Sequence, residues 1–341
     1  MKLNNLQILR GISALLVCFF HFRESLNFGD FPLGDILFSQ GSIGVPVFFV
    51  ISGFIMTFTT KNLNFSKTGN LKNTVLNFYK KRIIRIVPLY YLLTFAWMLV
   101  GGSFLAYFSS DLLQRLFHSL LFLPQRDSFP VLYLGWSLNY EMFFYLIFGI
   151  SLLFKKNRYY FIIAFFILTY FIGLFFPDKN AFFKMASDFL NFYFIVGIIL
   201  ALLLQKFKIS RKPAVFLCCG GILFFVFYFL RQDIFIGSFG TLMIVSFFVL
   251  SFLLLDFTFQ VKGSRFLIFL GDISYSVYLS HPFVEIFFRH FKIDGYLNIP
   301  YLILKMFVVI SVAAFFYYVV EKKITNFIYA RLKPTSKPDF P

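Results

Sequence analysis

QILRGISALLVCFFHF, residues 7–22, is apolar enough to be a membrane helix, yet it carries Arg10 and His21. A charge held inside hydrocarbon costs about 2.5–3.5 kcal/mol even on insertion scales, so something must offset Arg10. At about 100° per residue, the spacing from Arg10 to His21 is close to three full turns. Both therefore lie on one face of the helix, about 16 Å apart along its axis. Two polar groups on one stripe at different depths suit a long ligand threaded along the bilayer normal. They suit equally an arginine that snorkels to the headgroups at one surface and a histidine in the headgroup zone of the other.

The rest of the chain is of the same kind. Of 341 residues, 59% are hydrophobic and 14% charged, with 57 Phe, against about 25% charged in a soluble globular chain. This composition predicts an all-α, polytopic integral membrane protein with no room for a second soluble domain. The net charge of +17 raises nucleic acid as a partner, but the charges sit between apolar runs, where they set orientation and meet anionic membrane lipids. No nucleic-acid partner is expected. Cys18, Cys218 and Cys219 lie in apolar runs and the last two are adjacent, so no disulfide framework is indicated. Arg10 interrupts the first run and no small-residue cleavage site follows Phe22, which favours an uncleaved helix over a signal peptide.

About 20 apolar residues cross a bilayer. Ten such runs are expected, at 6–26, 41–60, 86–108, 134–154, 159–176, 188–205, 213–230, 234–255, 272–290 and 300–320. An amphipathic stretch at 111–122 is expected at the membrane interface. Residues 1–330 are read as a single transmembrane domain and 331–341 as a short, basic, disordered cytoplasmic tail. Basic residues alternate between connections. KNLNFSKTGNLK and FYKKRIIR (61–85), KKNR (155–158), KFKISRK (206–212) and KGSR (262–265) fall on one side with EKK and RLKPTSK of the tail. The positive-inside rule then places both termini in the cytoplasm.

Polar residues within the spans carry the chemical information, because intramembrane ionisable groups are costly and mark function by default. Glu141 lies in WSLNYEMFFYLIFG (136–149), and His281 in GDISYSVYLSHPFV (271–284), where Pro282 could kink the helix. Each could instead be a helix–helix hydrogen bond and nothing more. RIIRIVPLYY (82–91) follows Lys80 and Lys81. Its Arg82 and Arg85 serve as an orientation signal on one reading and as a phosphate clamp on the other, since an arginine fork matches phosphate oxygens. GVPVFFVISGF (44–54) carries Gly44, Ser52 and Gly53, small residues that permit close helix packing or could line a narrow channel.

The ordered set of Arg10 and His21, GVPVFFVISGF, FYKKRIIRIVPLYY, WSLNYEMFFYL, GDISYSVYLSHP and then Glu321 resembles the membrane-bound acyltransferase-3 family, which O-acylates sugars of bacterial envelope polysaccharides. The resemblance runs from residue 5 to about residue 323. It implies ten core helices and a bacterial inner (cytoplasmic) membrane location. The donor would be cytoplasmic acyl-CoA, most simply acetyl-CoA, with no permanently bound cofactor. The acceptor would be an envelope glycan or a lipid-linked saccharide.

Its donor phosphates would meet Arg10, Arg82 and Arg85, and its thioester would reach His21. A histidine of ordinary pKa ~6.5 can take a proton near neutrality, here from the attacking sugar hydroxyl. Glu141 would orient His21 or bind the sugar, and His281 or Ser137 would donate to the oxyanion. Trp136, Ser137 and Tyr275 are the expected acceptor contacts. The chain departs from relatives at Pro46, where they commonly carry an acidic or amide residue, and at Lys323, where they often carry Pro. No esterase-like domain is expected after the last span, so the reaction would finish in the membrane domain or pass to a separate protein. A transporter or flippase for an envelope sugar, or a polysaccharide polymerase, is the alternative. A homo-oligomer is compatible with the sequence. No metal site is expected, because His21, His118, His281 and His290 lack ligand spacing.

Overall fold

The computed structural model describes residues 2–28, 31–63, 71–176, 180–231, 236–291 and 297–332. Among these the fold is all-helical, with one isolated antiparallel bridge between Phe28 and Phe31. The helices are α1 Asn4–Phe22, α2 Leu33–Phe38, α3 Gly44–Thr60, α4 Leu71–Val100, α5 Ser110–Leu120, α6 Gly135–Ser151 and α7 Arg158–Phe175. They continue with α8 Ala181–Ala186, α9 Asn191–Lys206, α10 Arg211–Leu230, α11 Gly237–Leu254, α12 Arg265–Asp272, α13 Ser274–Arg289, α14 Asn298–Phe316 and α15 Lys323–Leu332.

Among the described residues, eight helical stretches are long and apolar enough to cross a membrane, which makes this a multi-pass membrane protein. One of them, Gly135–Phe175, spans 41 residues and turns at Lys155, whose φ is 51°. Beyond that corner α7 folds back antiparallel on α6, with Phe143 against Phe166 and Phe148 against Tyr159. Of the ten expected runs, only 272–290 coincides with a helix outside these eight stretches. That helix, α13, has 16 residues, about 24 Å at 1.5 Å per residue.

Two expected boundaries are corrected. The third apolar run does not begin at residue 86: α4 starts at Leu71 and carries Lys80, Lys81, Arg82 and Arg85 within it. Long basic side chains are good helix formers, and Pro88 sits inside the helix rather than at its start. Nor does α4 reach residue 108, because Gly102 adopts a left-handed φ of 66° just past its end. The expected disordered tail lies outside the described residues from 333 onward, while 331 and 332 complete α15.

Large apolar side chains crowd the surface, among them Phe216 at 79% and Phe307 at 67% exposure. In water such a surface would aggregate, but against lipid it needs no cover. Helix association must then come from close fit. Gly53 and Gly197 let α3 and α9 touch backbone to backbone, since a Cβ on either would stand 2.2 Å from the Phe194 carbonyl oxygen or 2.1 Å from that of Val50.

α1 runs through the interior against α3, α11, α12 and α13. Its first turn lacks a side-chain cap of its own. The cap comes from far along the chain. Asp256, 4% exposed in a π-helical turn that extends α11, accepts the Asn5 and Leu6 backbone N–H groups at 3.0 and 2.9 Å. The Asn5 side chain also donates to Asp256, at 2.9 Å, and to the Val261 carbonyl. At the other end, Lys305 of α14 donates to Ser25 at 2.6 Å and lies over the Tyr301 ring.

Asp256→Ala strands two buried N–H groups and should cost about 1–3 kcal/mol, read as a lower unfolding midpoint of the detergent-solubilised protein. Asp256→Asn keeps one acceptor oxygen and should lose less.

Candidate active site

A cavity with about 720 Å³ of empty volume lies between α1, α3, α4, α6 and α13. Arg10 enters it from α1, Arg82 and Arg85 from α4, Ser52 from α3, and Ser137, Glu141 and Tyr145 from α6. Tyr275 and Tyr278 close it from α13. The spacing of Ser137, Glu141 and Tyr145 is four residues each, one stripe of a helix.

Basic and acidic side chains meet around this cavity. Glu141 accepts hydrogen bonds from Ser52 at 2.9 Å and Tyr145 at 2.5 Å. Glu321, in a π-helical turn over Tyr317–Lys322, accepts one from Ser276. Arg10 donates to Gln7 at 3.1 Å and feels the charges of Arg85, Glu141 and Glu321. Three guanidinium groups thus face two carboxylates. Arg82 keeps its Nε and Nη1 buried without a partner, its guanidinium 5.7 Å from the Tyr145 ring centroid and 5.9 Å from that of Phe78. The carboxylates offset part of the cost of Arg10, and buried guanidinium donors remain that could take further acceptor oxygens.

Above this cluster stands a histidine pair. The rings of His21 and His281 lie 5.0 Å apart, tilted by 37°. Neither borders the cavity directly. Tyr278 connects them to it: its hydroxyl is 2.7 Å from Ser137 Oγ and its ring 6.2 Å from that of His281. His281 is fully buried. Its Nδ1 lies 3.3 Å from the Val277 carbonyl oxygen, which can only accept, so the ring proton sits on Nδ1. Nε2 is then a lone pair, buried and unpartnered. His21 Nδ1 is 3.5 Å from the Tyr133 hydroxyl.

Six of the nine residues expected at the site, Arg10, Arg82, Arg85, Ser137, Glu141 and Tyr275, line the cavity. His21 and His281 lie next to each other beyond Tyr278. Trp136 faces the opposite side of α6, where it lines a second cavity. The contacts of three of these residues differ from those expected. Glu141 is held by Ser52 and Tyr145 rather than by His21. Neutral His281 offers an acceptor, so donating to an oxyanion would require the protonated ring. Tyr275 donates to the Ile86 carbonyl at 2.8 Å, which ties α13 to α4. Tyr145 and Tyr278 were missed, although Tyr145 stands four residues after Glu141 and Tyr278 three before His281.

Residues 3–318 match the family model of the acyltransferase-3 acyltransferase domain. The chain belongs to the acyltransferase-3 family. Its relatives include the exopolysaccharide production protein ExoZ of Rhizobium meliloti, 30% identical over 259 residues, which cover 72% of this chain and 77% of that one. A Staphylococcus aureus protein provisionally named an O-acetyltransferase is 26% identical over 334 residues, 84% of this chain and 51% of the other. The acyltransferase MdmB of Streptomyces mycarofaciens is 30% identical over 161 residues, 43% of this chain and 38% of its own. This chain thus spans about half the length of the staphylococcal relative. No solved structure matches. This member of the acyltransferase-3 family is an acyltransferase, which sets aside the transporter and polymerase readings.

Tyr278→Phe removes the hydroxyl that meets Ser137 Oγ and the Leu134 carbonyl. Acyl transfer should fall about tenfold to a hundredfold while the unfolding midpoint of the detergent-solubilised protein stays unchanged.

Proposed function

We propose that the protein transfers an acyl group, most simply acetyl, from cytoplasmic acyl-CoA through the membrane to a hydroxyl of an extracytoplasmic or lipid-linked envelope sugar. The observation that carries this reading is the convergence of Arg10, Arg82 and Arg85 on one cavity whose far side leads through Tyr278 to His281 and His21. The name of the Rhizobium meliloti relative, an exopolysaccharide production protein, supports a glycan acceptor.

The proposed topology has ten spans: α6 and α7 count separately on either side of the Lys155 corner, and α13 is added to the eight stretches. Both termini then lie in the cytoplasm of a bacterium whose inner membrane holds the protein. The Arg10 end of α1 faces the cytoplasm and the His21 end the outside. Membrane lipids surround the apolar faces.

In this reading the CoA phosphates rest on the three arginines, with Arg82 supplying its free N–H donors. The pantetheine arm rises between α3, α6 and α13 and brings the thioester toward the histidines. His21 takes the proton of the sugar hydroxyl as its oxygen attacks the thioester carbonyl carbon. The tetrahedral intermediate collapses, the C–S bond breaks, and protonated His21 returns the proton to the CoA thiolate. The His281 ring lies 5.0 Å from that of His21, and its unpartnered Nε2 lone pair is the acceptor toward which protonated His21 would have to turn. The Ser137–Tyr278 hydroxyl pair, which donates to the Leu134 carbonyl, would have to turn one O–H from that carbonyl to serve the developing oxyanion.

Arg10→Ala should weaken acetyl-CoA binding about tenfold or more in a protein that still inserts, as measured by calorimetry; unchanged affinity would remove Arg10 from the donor site. His21→Ala should abolish turnover and leave CoA binding mostly intact. Mass spectrometry of envelope glycans from cells with and without the gene, and with the His21→Ala copy, should find an acyl mass increment only with the intact protein. Glycans that differ in amount or length but not in acylation would contradict the proposal.

A further inference from the structure

The second cavity, with about 1060 Å³ of empty volume, is walled by α6, by the loop from Pro124 to Pro130, and by residues Asn180 to Asp188 around α8. It belongs to the face of α6 opposite the arginines. Ser137, Glu141 and Tyr145 look into the first cavity, whereas Trp136, Asn139 and Tyr140 look into the second. Their linings meet at one aromatic contact. Phe49 lines the first cavity and its ring centroid is 6.0 Å from that of Tyr140, which lines the second.

The chemistry of the two walls differs. The first carries surplus positive charge. In the second, Arg126 and Lys184 stand with Asp127 and Asp188, so the formal charges cancel among the described lining residues. Trp136 and Tyr140 form an aromatic corner, with ring centroids 6.1 Å apart and planes at 87°. Asn139 is 2% exposed and its Oδ1 has no hydrogen-bond partner, a state that costs about 1–3 kcal/mol until a donor arrives. The Asp188 carboxylate is held in place, accepting from the Tyr140 hydroxyl at 3.0 Å and the Leu190 N–H at 2.8 Å. A carboxylate has about four lone-pair sites, so two remain for a ligand.

An aromatic corner that accepts an apolar C–H face, beside fixed acceptors that want O–H donors and without surplus charge, fits an uncharged polyhydroxyl ring. We propose that this second cavity is the acceptor subsite and that it binds a neutral saccharide unit of the glycan. The inference rests on the transfer reading above and adds where the acceptor sits and which class it belongs to. A phosphorylated or acidic sugar would bring a charge that this wall does not balance.

The chain has two tryptophans. Trp97 packs on Tyr133 and Phe283, away from this cavity, so Trp97→Phe leaves Trp136 as the sole indole reporter. The probe is oligosaccharide hydrolysed from the host's own envelope polysaccharide and separated into neutral and acidic pools. It is added to the purified Trp97→Phe protein in detergent while acetyl-CoA binding is followed by calorimetry on the same preparation. The neutral pool should shift the Trp136 emission with a saturable dependence, and Asp188→Ala should weaken that response about tenfold. In transfer assays Trp136→Ala should raise the acceptor KM about tenfold or more and leave the acetyl-CoA affinity unchanged. A saturable response to the acidic pool alone would overturn the neutral class. A response to neither pool, with intact acetyl-CoA binding, would overturn the subsite and leave the transfer reading standing. Loss of acetyl-CoA binding itself would instead count against the transfer reading.

Discussion

The position of α1 along the membrane normal is set by one carboxylate. Asp256 receives two backbone N–H groups at the start of the helix, and everything the helix carries is measured from that point. A helix start is a concentration of unpaired donors with a partial positive charge. In hydrocarbon these donors have no water to turn to. Once Asp256 binds them, Arg10 cannot slide toward the headgroups without breaking the cap. The same constraint fixes the height of His21, which shares the stripe, and hence its closeness to His281. Gly11 assists, since a Cβ there would stand 2.9 Å from the Gly271 backbone nitrogen, which keeps α1 and α12 in close register.

The arginine cluster shows how a membrane interior tolerates cations. Each of the two carboxylates near Arg10 is fixed by hydroxyl donors, Glu141 by Ser52 and Tyr145 and Glu321 by Ser276. Those bonds hold the acids as oriented counter-charges rather than as mobile partners. Compensation stops short of neutrality, and Arg82 retains buried donors. A cluster that balanced its charges fully would leave no donor unpaired. One left wholly uncompensated would resist burial.

The sequence exposed those features that depend on composition or on spacing along one helix. Arg10 and His21 were legible as a pair because an eleven-residue interval closes on one face. Ten apolar runs were legible, and each coincides with a helix, though α4 begins much earlier than its apolar portion because basic residues extend a helix without extending a hydropathy peak. What stayed hidden depends on contacts between distant segments. Asp256 stands at the end of an apolar run with nothing in its local sequence to mark it, and its partners lie some 250 positions away. The motif GVPVFFVISGF admitted both packing and lining roles. The fold divides them by residue, with Gly44 and Gly53 in helix contacts and Ser52 in the cavity. Spacing alone could not show that Trp136 and Ser137, neighbours in sequence, serve different cavities.

That division of α6 has a thermodynamic consequence. One rigid helix forms a wall of both spaces, with one edge of side chains in each. A molecule that fits better when α6 is slightly rotated or displaced alters the shape offered to whatever enters the opposite space. Linkage requires such an influence to act equally in both directions, so the factor by which one occupant changes the other's affinity is reciprocal. The Phe49–Tyr140 contact lies where this mutual adjustment would be felt, and its aromatic surfaces can slide with less loss than a directional hydrogen bond. The helix is therefore a balance beam as well as a partition.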